Sequence, residues 1–241
     1  MVDAEKQKKK RLSREDVIVE AIALADEEGL DAVSMRALAT RLSVVPMAMY
    51  KHVSDKTDLV NAMSENVVGG FAHIAPNNSK LSWREQFLGR IGQATRALET
   101  HPWLRQALET SSQPGPNALT HMNNLAGDLI NGGMSIDLTH YAMHAIGSRI
   151  WGYNPEAFQG PRLTEKSPKQ PSPEQLAYMQ QTFPHVTAIA LDAAARNPEG
   201  ACNQTKEFDF ILNLLLDSFE RLRHTGWASS DQGAGSRDSS A

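Results

Sequence analysis

The sequence predicts an all-α protein, with an N-terminal three-helix helix-turn-helix domain followed by a larger helical domain. Three observations carry this reading. Alternating Val, Ile and Thr runs that would mark strands are few. Apolar residues recur instead at helical spacing behind Ser, Asp and Gly-Pro starts. Two short helical patterns also flank a tight turn at Ser43-Val44-Val45, with a longer helix before them.

The elements come in order. The first helix starts after Ser13, with Asp16 at capping-box spacing, and buries a stripe of Val17, Ala21, Leu24 and Ala25. Gly29 stops it. Ser34 caps a second helix, with Leu38, Ala39 and Leu42 inward. Pro46 opens a third, where its missing N–H costs nothing, and that helix ends near His52. Ser54 or Asp55 caps a fourth, from about Lys56 to Phe71. Ser82 caps a helix whose Phe87, Ile91, Ala94 and Leu98 share a face, and His101-Pro102-Trp103 restarts a short one. Gly115-Pro116 opens another, with Leu119, Met122, Leu125, Ala126 and Leu129 inward. The helix from Ser135 is apolar nearly all round. Four prolines between Phe158 and Glu174 mark a long connection. A helix through Val186 to Ala195 comes after it, then a last one from about Lys206 to His224. This last helix and the Ser135 helix carry more apolar residues than one buried face needs, so a homodimer is expected.

Composition sets the domain boundaries. Residues 1–12 read as a basic, disordered arm, 13–60 as the helix-turn-helix domain, 61–225 as a larger helical domain that dimerises, and 226–241 as a disordered Gly/Ser tail.

The 241 residues carry 24 basic against 28 acidic side chains, a net charge of −4. The chain is not basic overall, so any polyanion site must be a local patch. One cysteine, Cys202, excludes an intrachain disulfide and a CxxC site. Apolar runs fall far short of a membrane span, and the lysine-rich start lacks the apolar segment of a secretory signal, which points to the cytoplasm. No nucleophile elbow, P-loop or GxGxxG is present, so no enzyme activity, catalytic residue or cofactor is assigned. His140 and His144 stand at i, i+4 but lack a third ligand, and no metal is expected.

The function-bearing segment is the turn together with the helix it leads into. A recognition helix must be slim at its start to enter a major groove, with phosphate-holding groups at its flanks. Val45, Pro46, Met47 and Ala48 are small or apolar, Tyr50, Lys51, His52 and Lys56 stand at the rim, and Arg36 opens the preceding helix.

These residues resemble a known pattern. Ala39, Leu42-Ser43-Val44, Tyr50-Lys51-His52-Val53, Lys56 and Leu59 are similar to the DNA-binding domain of the tetracycline repressor (TetR) family, over Ser13 to Asn66. His101-Pro102-Trp103-Leu104, Gly115-Pro116-Asn117 and Phe208 with Leu215-Leu216-Asp217 resemble the ligand domains of repressors near the tetracycline repressor itself. The resemblance implies that Arg36 reaches a base edge and that Ser34, Tyr50 and Lys56 hold phosphate. Val45, Pro46 and Ala48 would face bases, with apolar contacts to thymine methyls in place of hydrogen bonds. Lys51 and His52 complete the expected DNA-binding set.

It also implies a pocket for a hydrophobic small-molecule inducer. Phe87, Ile91, Trp103, Met122, Leu125, Met143, His144 and Trp151 are its candidate lining. The histidines that hold a drug–magnesium complex in the tetracycline repressor are replaced at the aligned places by Ala72 and Ser148, so tetracycline is not the expected ligand. The expected function is a ligand-responsive repressor that binds double-stranded operator DNA as a homodimer and is released by its inducer. The alternative is an architectural DNA-binding protein without a ligand, and a cavity in the larger domain separates the two.

Overall fold

In the computed structural model of the chain, residues 12–73, 81–111, 113–151, 172–196 and 204–233 are described, and among them every regular element is helical. They fall into two compact units, residues 1–152 with 227–241 and residues 153–226.

The first unit opens with α1 (Arg14–Glu28), α2 (Met35–Arg41), α3 (Pro46–Met49) and α4 (Lys56–Ala72). Local chemistry sets each boundary. The Ser13 hydroxyl accepts from the Asp16 amide while the Asp16 carboxylate accepts from the Ser13 amide, closing a capping box. Ser34 caps α2 by accepting from the Ala37 amide at 3.1 Å. Of the two candidates for the start of α4, Asp55 is the cap, its side chain accepting from the Asp58 amide at 2.8 Å. Val17, Ala21, Leu38, Met49, Leu59 and Met63 bury completely in the shared core. Each Leu- or Met-sized side chain there contributes about 1.5–3 kcal/mol.

The first unit continues with α5 (Trp83–Thr100), α6 (Leu104–Thr110), α7 (Pro116–Asn131) and α8 (Ile136–Trp151). Helix α4 belongs to both parts: beyond Met63 it packs Val68, Phe71 and Ala72 against Ala94 of α5. Polar bonds fix its other flank to α7. The Glu65 carboxylate accepts from the Asn117 amide at 2.8 Å, the Asn117 side-chain amide donates to the Glu65 carbonyl at 2.9 Å, and Asn124 donates to the Ala72 carbonyl at 3.0 Å. Gly115 permits this approach, since a Cβ there would collide with the Glu65 carboxylate. A buried ion pair, Arg90–Asp128 at 2.7 Å, joins α5 to α7.

The second unit holds α9 (Pro173–Thr182), α10 (Pro184–Arg196) and α11 (Gln204–His224). Helix α9 begins at the end of the expected connection and runs through residues for which the sequence suggested no element. Its start carries a capping box between Ser172 and Gln175, with Pro173 at the first turn. Helix α11 buries Leu212, Leu216 and Phe219 and leaves Phe210 and Leu214 exposed.

Two expectations are corrected. Leu119 and Met122 of α7 do not point inward but are about half exposed. The start of the expected tail is ordered on α8: the Ser229 amide donates to Asp137 at 2.6 Å, and Trp227 packs edge-on to Tyr141 at 5.3 Å. An aromatic ring and a helix-start carboxylate supply what the Gly/Ser composition lacked. Lys6 to Arg11 of the expected arm, and Cys202, lie outside the described residues.

The turn after α2 is a complete Schellman motif. The Val44 amide donates to the Ala39 carbonyl at 2.9 Å and the Ser43 amide to the Thr40 carbonyl at 3.2 Å. Ser43 holds the left-handed position at φ 53°, where glycine ordinarily sits. Ser43→Gly is therefore expected to stabilise the fold by about 0.5–1 kcal/mol in urea unfolding. A destabilised variant would contradict this account of the turn.

Candidate functional site

The turn fixes how α3 is presented. Met49 on one side of α3 is fully buried, while Val45, Met47 and Tyr50 are 68%, 72% and 52% exposed. Pro46 and Lys51 are exposed, and Ala48 and His52 are half-buried. The outer face is thus an apolar patch of Val45, Pro46 and Met47 bordered by Tyr50 and Lys51. Met47 is more exposed than Val45, and the base-facing residues expected from the sequence omitted it.

Cations border this face. Arg36 on α2, Lys51 and Lys56 are exposed and make no ion pair among the described residues. Arg41, by contrast, is held by Glu20 at 2.5 Å and Glu27 at 2.7 Å of α1, so it braces the domain. Lys56 is the first residue of α4, where the positive end of the helix dipole adds to its charge.

Behind α3 a polar junction ties three segments together. Arg14 of α1 pairs with Asp58 of α4 at 2.7 Å and also donates to the His52 carbonyl. Asp58 further accepts from the Ser54 amide at 2.9 Å. The Arg14 hydrogen bond, with help from Ser54, holds the Asp58 carboxyl down at a pKa of about 2. A second tie joins α1 to the start of α6: Asp26 accepts from Trp103 Nε1 at 2.7 Å and bonds His101 Nδ1 at 2.8 Å.

The first unit also contains a cavity of about 970 Å³. That volume lies in the range of small-molecule sites. Five candidate pocket residues meet on its wall: Phe87, Met122, Leu125, Met143 and His144. The structure does not bring Ile91 and Trp103 to this wall. Ile91 is fully buried in α5, and the Trp103 indole is turned to Asp26. Trp151 ends α8, and its side chain lies outside the described residues. Sequence reasoning missed Arg14, Asp58 and Glu65, which reach the same cavity from α1 and α4. No periodic signal marks them, because their place depends on how the helices cross.

His121 also lines the cavity and is a buried polar group at its core side. Its ring meets Phe71 edge-on at 5.0 Å. Burial, with the Arg90 charge adding to it, pulls its pKa down to about 4, so it is neutral near pH 7. Burial pushes the Asp128 carboxyl up, while Arg90 opposes that shift. Among the described residues no three His, Cys, Asp or Glu side chains cluster as metal ligands, and no helix is long and apolar enough to cross a membrane.

Two short helices around a tight turn, with an exposed helix face bordered by cations, are the build of a helix-turn-helix protein. Comparison with known proteins gives the family. Residues 17–63 match the family model described as bacterial regulatory proteins, tetR family, and residues 75–222 match the tetracyclin repressor-like C-terminal domain. The chain belongs to the TetR family. An HTH-type transcriptional regulator of Saccharopolyspora erythraea is 27% identical over 163 residues, 64% of this chain and 68% of that one. The crystal structure of a possible TetR family regulator from Streptomyces coelicolor A3(2) superposes with a TM-score of 0.69 at 26% identity, covering 87% of this chain and 100% of that one. The Streptomyces coelicolor TetR family protein ActR, solved in complex with actinorhodin, gives a TM-score of 0.65 at 21% identity over 88% of this chain and 98% of ActR.

The depressed pKa of His121 has a measurable consequence. The unfolded chain takes up this proton near pH 6.5 and the folded chain only near 4, so acid favours unfolding across that window. About 2 kcal/mol of stability is expected to be lost by pH 5 through this residue, fully present again above pH 7. His121→Gln should remove that part of the pH dependence in urea titrations. A variant with the wild-type slope between pH 7 and 5 would contradict the assignment.

Proposed function

We propose that the chain is a ligand-responsive repressor that binds operator DNA as a homodimer and is released by a small-molecule inducer. Residues 13–60 form the DNA-binding part and 61–225 the sensing and dimerising part. The observation that carries this reading is helix α4. Its first residue, Lys56, lies at the recognition face, and its later residues Ala62, Glu65 and Val68 line the cavity. A ligand that prefers one placement of α4 therefore selects one placement of the recognition helix. The cavity favours this sensor over an architectural DNA-binding protein, which has no use for one. ActR, bound to actinorhodin, is a structural neighbour with an occupied site.

On the DNA side, Arg36 reads a base edge. Ser34, Tyr50 and Lys56 hold phosphate, and Lys51 and His52 stand beside them. Val45, Pro46 and Ala48, joined by Met47, make apolar contacts in the groove. Dimerisation uses the apolar side chains left in water. Ile136 and Tyr141 of α8 are 71% and 49% exposed, and Phe210 and Leu214 of α11 are 68% and 52% exposed. Each of these two helices pairs with its counterpart in a second chain, as their excess of apolar residues suggests.

The test uses an operator selected from random duplex DNA and a scrambled control. The wild type is expected to sediment as a dimer, so each contact counts twice. Lys56→Ala should weaken binding to both DNAs and flatten the log K against log salt slope by ~1.8, or ~0.9 per phosphate. Arg36→Ala should cost ~1–3 kcal/mol per half-site and relax preference at one symmetric pair of positions. If Arg36→Ala weakens both DNAs equally and Lys56→Ala leaves the slope unchanged, the two roles are wrongly assigned. Loss of neither residue affecting binding would end the helix-turn-helix reading of this face.

A further inference from the structure

We propose that the cavity admits an apolar, ring-bearing amine carrying one positive charge, a ligand class that presupposes the inducer-site reading above. The walls select the body of such a molecule. Ile18, Val68, Phe87, Leu125, Met143 and Ile146 line the space with aliphatic and aromatic surface. Met143 adds adaptable packing, while Phe87 is fully buried and only backs the wall.

The charges select the head group. Histidines apart, the charged side chains on the lining are Arg14, Asp58, Glu65 and Glu109. Arg14 is already committed, paired with Asp58 at 2.7 Å and donating to the His52 carbonyl. The Glu65 carboxylate accepts from the Asn117 amide at 2.8 Å and the Ala118 amide at 3.3 Å, where the start of α7 offers it only a partial positive charge. Glu109 has no cationic partner among the described residues. It sits in the last turn of α6, where the helix dipole is negative as well. His121 is neutral near pH 7 and adds no compensating charge.

The lining thus holds an excess of negative charge, with Glu65 half-buried and Glu109 exposed at the rim, and the apolar walls beside them focus that field toward the opening. A cationic head group exchanges its water for Glu109 and Glu65. An anionic one has no available cation, since the guanidinium on the lining is already paired, and loses its hydration without return.

Three dyes test this on the full-length chain by fluorescence anisotropy at pH 7.5. Rhodamine 6G and fluorescein share a xanthene ring system but are cationic and anionic, respectively. Nile red is apolar and uncharged. Rhodamine 6G is expected to bind at least tenfold more tightly than fluorescein. Glu109→Gln should narrow that ratio threefold or more, while Glu99→Gln on the exposed side of α5 should not change it. Met143→Trp, which narrows the cavity, should weaken both rhodamine 6G and Nile red. Fluorescein binding as tightly as rhodamine 6G, or a ratio that Glu109→Gln does not move, overturns the charge assignment; with Nile red still bound, the inducer-site reading survives. Dye binding that Met143→Trp leaves untouched places the dyes elsewhere and overturns the proposal. Failure of all three dyes to bind overturns both the charge assignment and the inducer-site reading.

Discussion

Helix α4 has to satisfy two sets of bonds at once, and the rest of the first unit depends on that. At its start, Asp58 holds Arg14 of α1 and the Ser54 backbone, which fixes the helix to the recognition segment. Further along the same helix, Glu65 and then the Ala72 carbonyl engage Asn117 and Asn124 of α7. The 17-residue helix is roughly 25 Å long, and from Lys56 to Val68, ahead of Gly69-Gly70, it holds no proline or glycine at which it would bend. On the proposed function, movement of the cavity wall at Ala62 to Val68 reaches the DNA end as a tilt of this stretch.

The character of the two junctions differs from that of the core. Val17, Leu38, Met49 and Leu59 hold the DNA-binding part by burial, which is strong but non-directional. The junctions at Asp58 and Glu65 are directional and partly exposed, and bonds of that kind contribute about 1 kcal/mol each. A ligand can re-form or break them without unfolding the core. The buried Arg90–Asp128 pair is another matter. Removing either partner strands a charge at a cost of about 3–5 kcal/mol, so α5 and α7 move together or not at all.

The helix-turn-helix was legible because its signals are local. Ser13 with Asp16, Ser34, the Ser43 turn and Pro46 each act within three or four residues, and the structure uses all of them. The capping signal of α9, Ser172 with Gln175, is equally local but lies at the end of a proline-rich stretch that reads as a connection. The cavity was legible only in part. Phe87 and Leu125 lie on apolar stripes that had to face inward, and Met143 on a helix apolar nearly all round, and all three are on the cavity wall. Periodicity says that Trp103 is buried but not that Asp26, far away in sequence, captures its N–H. It likewise gives no reason to send Asp58 or Glu65, polar residues on an ordinary helix face, toward a ligand. Those placements arise from the crossing of α4 with α1 and α7, which no single helix encodes.

The central claim is that one rigid helix links the DNA face to the cavity wall. Hydrogen exchange of the full chain, free and bound to the selected operator, measures this directly without any ligand. The amides of Asn117 and Ala118 are bonded to Glu65 and lie on α7, outside the proposed DNA face. The account predicts that operator binding changes their protection, together with that of residues 62–72. A change confined to residues 34–60 would show that α4 does not carry the signal and would contradict it.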